Sequence, residues 1–106
     1  MIKILKNTYI DEKDILYIDH YDGITYIHTT AQIFQTYISV KKLIVTLPAD
    51  FIKINKALVV NKCFIRRIEG CKYVLKNDEI LWGAVRMAGF HRKVSKELSG
   101  IKFIKK

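Results

Sequence analysis

Proline is almost missing from this chain, and enzymatic signatures are missing with it. One proline in 106 residues, half of them hydrophobic, excludes a disordered or polyproline-type chain and leaves enough apolar material for one core. Two cysteines, Cys63 and Cys71, are too few for a disulfide scaffold. Their spacing is not Cys-x-x-Cys and no nearby histidine completes a zinc set, so both read as reduced, partly buried thiols. No stretch approaches the roughly 20 apolar residues of a membrane span. The opening Met-Ile-Lys-Ile-Leu-Lys lacks the apolar segment and cleavage site of a signal peptide, so a cytoplasmic location is the expectation. There is no Gly-rich phosphate loop, no GxSxG and no HExxH. His20, His28 and His91 show no metal spacing, and His20 with Asp22 reads as a solvated turn rather than an acid–base pair. No catalytic residue, metal, cofactor or small-molecule substrate is expected.

Acidic residues are also scarce: 10 Asp and Glu against 19 Lys and Arg, a net charge of +9. The excess is all in the second half. Residues 1–50 hold five Lys and six acidic residues, a balance of −1; residues 51–106 hold fourteen Lys or Arg and four acidic residues, a balance of +10. A basic half on a small domain implies a polyanionic partner, nucleic acid first, with a membrane surface or an acidic protein as the other options.

What is present is mostly strand pattern. Ile2, Ile4 and Leu5 read as an edge strand or ordered tail, and Asp11–Asp14 as a polar turn. Ile15–Ile18, Ile24–Thr30 and Ile33–Tyr37 are three strands close together, which predicts an antiparallel meander; Asp22-Gly23 is a hairpin signal between the first two. Ser39 is a helix cap, Val40, Leu43, Ile44 and Leu47 follow at helical spacing, and Pro48 ends that helix. Phe64–Ile68 is a strand stopped by Gly70. Cys71–Trp82 reads as a hairpin around an Asn77-Asp78 two-residue turn, pairing Leu75 with Ile80 and Tyr73 with Trp82 on one apolar face. Ala84–Leu98 returns to helical spacing, with Met87, Phe90, Val94 and Leu98 as a core stripe. The tail from Gly100 is either a last strand or frayed.

Binding chemistry sits where this apolar pattern pauses. Phe51–Asn61 has apolar ends that anchor it to a core and carries Lys53, Asn55 and Lys56 between them, donors suited to phosphates and base edges. The His20–Thr25 hairpin loop and Arg86, at the start of the last helix, are the other two such places; Arg86 suits a phosphate or the two acceptors of guanine.

In this order the segments resemble the LytTR family of bacterial DNA-binding domains. The resemblance is carried by Asp14-Ile15-Leu16-Tyr17-Ile18-Asp19, by Ile27-His28-Thr29, by the Ser39 helix ending in Leu47-Pro48, by Phe51–Asn61, by the Cys71–Trp82 hairpin and by Ala84-Val85-Arg86. It covers about residues 10 to 98. It implies a mostly β fold with short helices, an elongated arrangement of small antiparallel sheets with one helix after the first meander and one near the C-terminus, in which loops enter successive major grooves. It implies a transcription regulator that binds double-stranded DNA, commonly at paired repeats, as a monomer that pairs on DNA. By position, Asn55 and Lys56 fall where the family usually has His and Arg, Lys53 on a nearby basic position, Arg86 on a base-contacting Arg, and Ile24 and Thr25 near the first contacting loop. Asn61 matches a recurrent Asn read here as a turn former.

The sequence departs from the family at three points. Ala57 and Ala84 stand where Ser is usual, removing two hydroxyls, and Lys56 lacks the fork of an Arg. Most relatives carry a phosphorylated receiver domain, for which 106 residues have no room. The chain therefore reads as an excised domain or, given its Met1, a stand-alone regulator controlled by abundance or a protein partner. The alternatives are an RNA-binding module, or a protein-interaction module whose DNA binding has decayed.

Overall fold

Asp22 and Gly23 both take positive φ, 51° and 78°. That is the type I′ geometry whose twist matches a β-hairpin, and it joins β3 (Ile15–Tyr21) to β4 (Ile24–Thr29) with Tyr21 opposite Ile24. β5 (Ile33–Thr36) pairs with β4, so the expected meander is present. The computed structural model describes residues 1–5 and 7–100, and the chain divides into two units, Met1–Cys63 and Phe64–Lys106. The segment from Ile101, read as a last strand or frayed end, lies outside the described residues.

In the first unit, β1 (Ile2–Leu5) and β2 (Thr8–Ile10) form a separate two-stranded ribbon. Asp11 caps the 3₁₀ turn Glu12–Asp14 by accepting from the Lys13 N–H at 3.0 Å. The meander extends into a five-stranded antiparallel sheet through β6 (Phe51–Asn55) and β7 (Leu58–Asn61), in the order β5-β4-β3-β7-β6. Phe51–Asn61 is thus a hairpin with a bulge at Ile54, and its apolar ends do anchor it: Phe51, Ile54, Leu58, Val59 and Val60 are all buried. The core collects Ile2, Ile4, Ile10, Ile15, Ile18, Ile27, Phe51 and Val59 with Val40 and Leu43 of α1 (Val40–Ile44).

Ser39 caps α1 as the sequence indicates, accepting from the Lys42 N–H at 3.2 Å. The helix stops at Ile44, earlier than its apolar spacing predicts. The Thr46 hydroxyl donates to the Leu43 carbonyl at 2.7 Å, and the Thr46 and Leu47 amides bond three residues back, so the chain tightens into 3₁₀ form before Pro48 acts.

The second unit is a three-stranded antiparallel sheet, β10-β9-β8, made of β8 (Ile65–Glu69), β9 (Lys72–Leu75) and β10 (Ile80–Trp82), with α2 (Ala88–Leu98) packed on β8. The hairpin register differs by one residue from the sequence reading. Ile80 lies opposite Val74, Leu81 opposite Tyr73 and Trp82 opposite Lys72. The cause is local: Asp78 adopts φ 71° and Asn77 Oδ1 accepts from the Glu79 N–H at 3.1 Å, so the connection uses three residues rather than two. A one-residue slip exchanges faces. Leu81 is therefore inside with Tyr73, while Ile80 and Trp82 are exposed.

The last helix also starts later than Ala84. Gly83 continues the β ladder by donating to the Cys71 carbonyl at 2.7 Å, Val85–Met87 form a 3₁₀ turn, and α2 begins at Ala88. Of the apolar stripe, Val94 is buried; Met87 and Phe90 are half-buried.

Candidate nucleic-acid interface

Cross-strand register brings two of the expected segments to one end of the five-stranded sheet. Tyr21 pairs with Ile24 and His20 with Thr25 across the β3–β4 turn. On the other side of β3, Asp19 lies opposite Leu58, and the His20 N–H donates to the Ala57 carbonyl at 3.1 Å. The Asp22-Gly23 tip and the Asn55–Ala57 tip are therefore neighbours. Thr36 lies opposite Thr25, which places the end of β5 and the exposed Tyr37 at the same end. His20 and Tyr21 belong to the His20–Thr25 loop that the sequence marks, while the exposed Tyr37 is a member of this surface that the sequence reading did not single out.

Lys53 and Lys56 are exposed and have no ion pair or hydrogen bond among the described residues. Asn55 is half-buried, and its Oδ1 accepts from the Ala57 N–H at 2.8 Å. That bond shapes the turn, so Asn55 holds Lys56 in place with the oxygen of its amide. Ala57, where a hydroxyl is absent, lies on the turn itself and is half-buried. Ile24 is half-buried at the neighbouring tip. Thr25 is fully buried, and its hydroxyl lies 3.1 Å from His20 Nδ1, so its side chain supports the exposed His20 from beneath rather than reaching the surface. Behind the tip, His28 Nε2–H donates to Asp19 at 2.9 Å, and its ring stacks on Tyr17 with centroids 4.0 Å apart. These cross-strand pairs stiffen the sheet that carries the tip.

Arg86 belongs to the second unit. It sits in the 3₁₀ turn Val85–Met87, exposed, with no ion pair or hydrogen bond among the described residues. The arginines of β8 are placed differently. Arg66 bonds Asp78 and donates to the Lys76 carbonyl at 2.8 Å, and Arg67 donates to Glu69 at 3.1 Å. The Arg67 guanidinium, with Lys72 behind it, holds the Glu69 carboxyl below the usual carboxylate range. Arg66 thus ties β8 to the β9–β10 connection and Arg67 pairs along its own strand; Lys53, Lys56 and Arg86 have no such partner among the described residues.

A family model matches most of the chain: the LytTr DNA-binding domain, over residues 6–95. The chain belongs to the LytTR family. The family is a DNA-binding one and not an enzymatic one, found in response-regulator-type proteins. Among solved structures, this LytTR domain is similar to the LytTr DNA-binding domain of a Bacillus cereus chain described as a methyl-accepting/DNA response regulator. The TM-score is 0.72 at 21% identity, over 80% of this chain and 84% of that one. At that identity the likeness shows the fold, which is the mostly β arrangement of small antiparallel sheets with a C-terminal helix. No curated protein matches the chain. Within the LytTR domain, Asn61 is 3% exposed; its Nδ2 donates to the Ile15 carbonyl at 2.9 Å and its Oδ1 accepts from the Cys63 N–H at 3.0 Å. Both ends of its amide are used inside the fold, as befits a turn former. No helix among the described residues is long and apolar enough to cross a membrane.

Proposed function

We propose that this LytTR domain is a sequence-specific regulator of transcription that reads double-stranded DNA through its turns. The observation that carries the reading is the contrast among the basic side chains. Arg66 and Arg67 are spent on internal partners, while Lys53 on β6, Lys56 on the turn that follows it and Arg86 on its 3₁₀ turn stand exposed on backbone fixed by hydrogen bonds. An unpaired cation held on a stiff turn keeps its donors for phosphate or a base edge. Lys53 and Lys56 act on phosphates, and their ammonium groups supply affinity that falls with salt. Asn55 sets the central turn and lies beside the bases, with Ile24 on the adjacent tip. Arg86 reads a base pair through its paired N–H donors. The domain works in the cytoplasm, is a monomer in solution and pairs on repeated sites; a protein partner or its own abundance sets its activity.

The test is selection of bound duplexes from random sequence, followed by titration of variants on the selected site and its single mismatches at two salt concentrations. Arg86→Ala is expected to cost about 1–3 kcal/mol and to relax preference at one base pair. Lys53→Ala and Lys56→Ala should each weaken all sequences alike and lower the salt slope by about 1. Equal weakening of every sequence by Arg86→Ala would remove the base-reading role. Tighter binding to single strands than to any duplex would favour the other reading the tip supports, in which the exposed rings of Tyr21 and Tyr37 stack unpaired bases.

A further inference from the structure

The turn that presents Arg86 has no cap of its own. Ala84 occupies the N-cap position, at φ −66° and ψ 132°, with no side chain to accept from the turn. It is held from the interior instead. The Ala84 carbonyl accepts from the Met87 N–H at 3.0 Å, which closes the turn, and it also lies 2.8 Å from Nε2 of His91, a fully buried residue of α2. A carbonyl only accepts, so Nε2 carries the hydrogen. In the neutral ring Nδ1 is then an acceptor, and the Tyr73 hydroxyl donates to it at 2.6 Å. Tyr73 is fully buried on β9, edge-on to the imidazole with ring centroids 5.2 Å apart at 85°. One step before Ala84, the Gly83 N–H is fixed on the Cys71 carbonyl at 2.7 Å.

A continuous chain of hydrogen bonds therefore runs from the sheet through α2 to the backbone two residues before Arg86. An apolar pair of similar size would fill this volume without burying polar atoms. What the Tyr73–His91 pair adds is direction, because each hydrogen bond fixes an angle that apolar packing leaves loose.

We propose that His91 and Tyr73 are positioning residues for Arg86: they set the orientation of its turn and thereby the sequence preference of the domain. This rests on the reading of Arg86 as the base-contacting arginine. Two parallel N–H bonds to one base tolerate little rotation of the turn that carries them, whereas attraction to phosphates tolerates much. Loosening the turn therefore removes discrimination at one base pair and leaves the general affinity in place.

The experiment uses the whole chain and four variants: His91→Leu, His91→Gln, Tyr73→Phe and Arg86→Ala. Two quantities are read in each, the affinity ratio between the selected duplex and its single mismatches, and the hydrogen-exchange rate of the Met87 amide, the donor to Ala84. His91→Leu should lower the preference at the Arg86 base pair by about tenfold, which is about 1.4 kcal/mol, with other positions and the salt slope unchanged. The Met87 amide should exchange about tenfold faster. His91→Gln places an amide nitrogen near the Nε2 position and should retain most of the preference. Tyr73→Phe keeps the ring and its packing, so it should fold even where His91→Leu does not, and should show the same selective loss. If Arg86→Ala erases one preference while Tyr73→Phe and His91→Leu leave it whole, the positioning role is wrong. Uniform weakening on every duplex also overturns it, as the mark of a merely destabilised fold. If Arg86→Ala erases no preference, the base-reading role fails and the proposal falls with it, whatever the exchange rates show.

Discussion

Asn61→Ala separates a structural amide from a DNA-reading one, and its cost can be worked from the geometry. Asn61 ends β7 and bridges to the first residue of β3, giving a hydrogen to the Ile15 carbonyl at 2.9 Å and taking one from the Cys63 N–H at 3.0 Å. Ile15 is fully buried, so its stranded carbonyl has no water to turn to and the loss there is about 1–3 kcal/mol. Cys63 is exposed and its amide finds solvent, so that end costs only about 0.5 kcal/mol. The small void left by the missing amide adds about 0.5–1 kcal/mol. The total is about 2–4.5 kcal/mol, against roughly 5–15 kcal/mol for a whole domain, so the variant remains folded at room temperature.

Urea unfolding followed by circular dichroism should show a lower midpoint with an unchanged slope, and Tm should fall by roughly 10–25 °C. DNA affinity and base preference, measured where both proteins are folded, should be unaltered. Asn61→Asp sharpens the test. It keeps the acceptor for Cys63 but must hold a proton to donate to Ile15, so its folded pKa is raised above about 3.9; the variant should be most stable below that pH and lose stability as pH rises. A loss under about 0.5 kcal/mol for Asn61→Ala, or a stable variant with altered base preference, would refute the structural role.

Two further outcomes follow from single sites. Burial pushes the Tyr73 hydroxyl up to about 12. Because the unfolded value is near 10, the stability this group contributes is complete below about pH 10 and is lost as pH rises toward 12. Absorbance of tyrosinate should show one of the six tyrosines titrating last, and Tyr73→Phe should remove that component; six tyrosines titrating together near 10 would contradict the burial. Ala57→Ser places a hydroxyl on the central turn. It should tighten duplex binding about three- to tenfold, the value of one hydrogen bond to a charged phosphate set against its lost hydration, and unchanged affinity in a filter-binding titration would place that position away from the backbone.

Several parts of this fold were legible without coordinates because they depend on a few adjacent residues. Asp22-Gly23 specifies a type I′ turn through two positive φ angles, Ser39 caps a helix with its own hydroxyl, and the apolar ends of Phe51–Asn61 mark where it is anchored. The Cys71–Trp82 hairpin shows the limit of the same reasoning. Its existence was plain, but its register turned on Asp78 entering the left-handed region, and one residue of slip exchanged Trp82 for Leu81 at the buried face. His91 shows it again: a histidine with no metal spacing looked uninformative, and its partners Tyr73 and Ala84 lie 18 and 7 residues away.

By itself, then, the sequence determined the family, the strand and helix content and the basic character, since these follow from local dihedral preferences and from the order of short apolar segments. Only the tertiary structure decided which of the basic residues are available. Arg66 and Arg67 look as promising as Arg86 in one dimension; they differ because Asp78, from the β9–β10 connection, and Glu69, two residues along β8, neutralise the first two while the turn at Val85–Met87 leaves the third in solvent. The Arg66–Asp78 pair joins residues 12 apart along the chain, and the short distance between them exists only once the three-stranded sheet has formed.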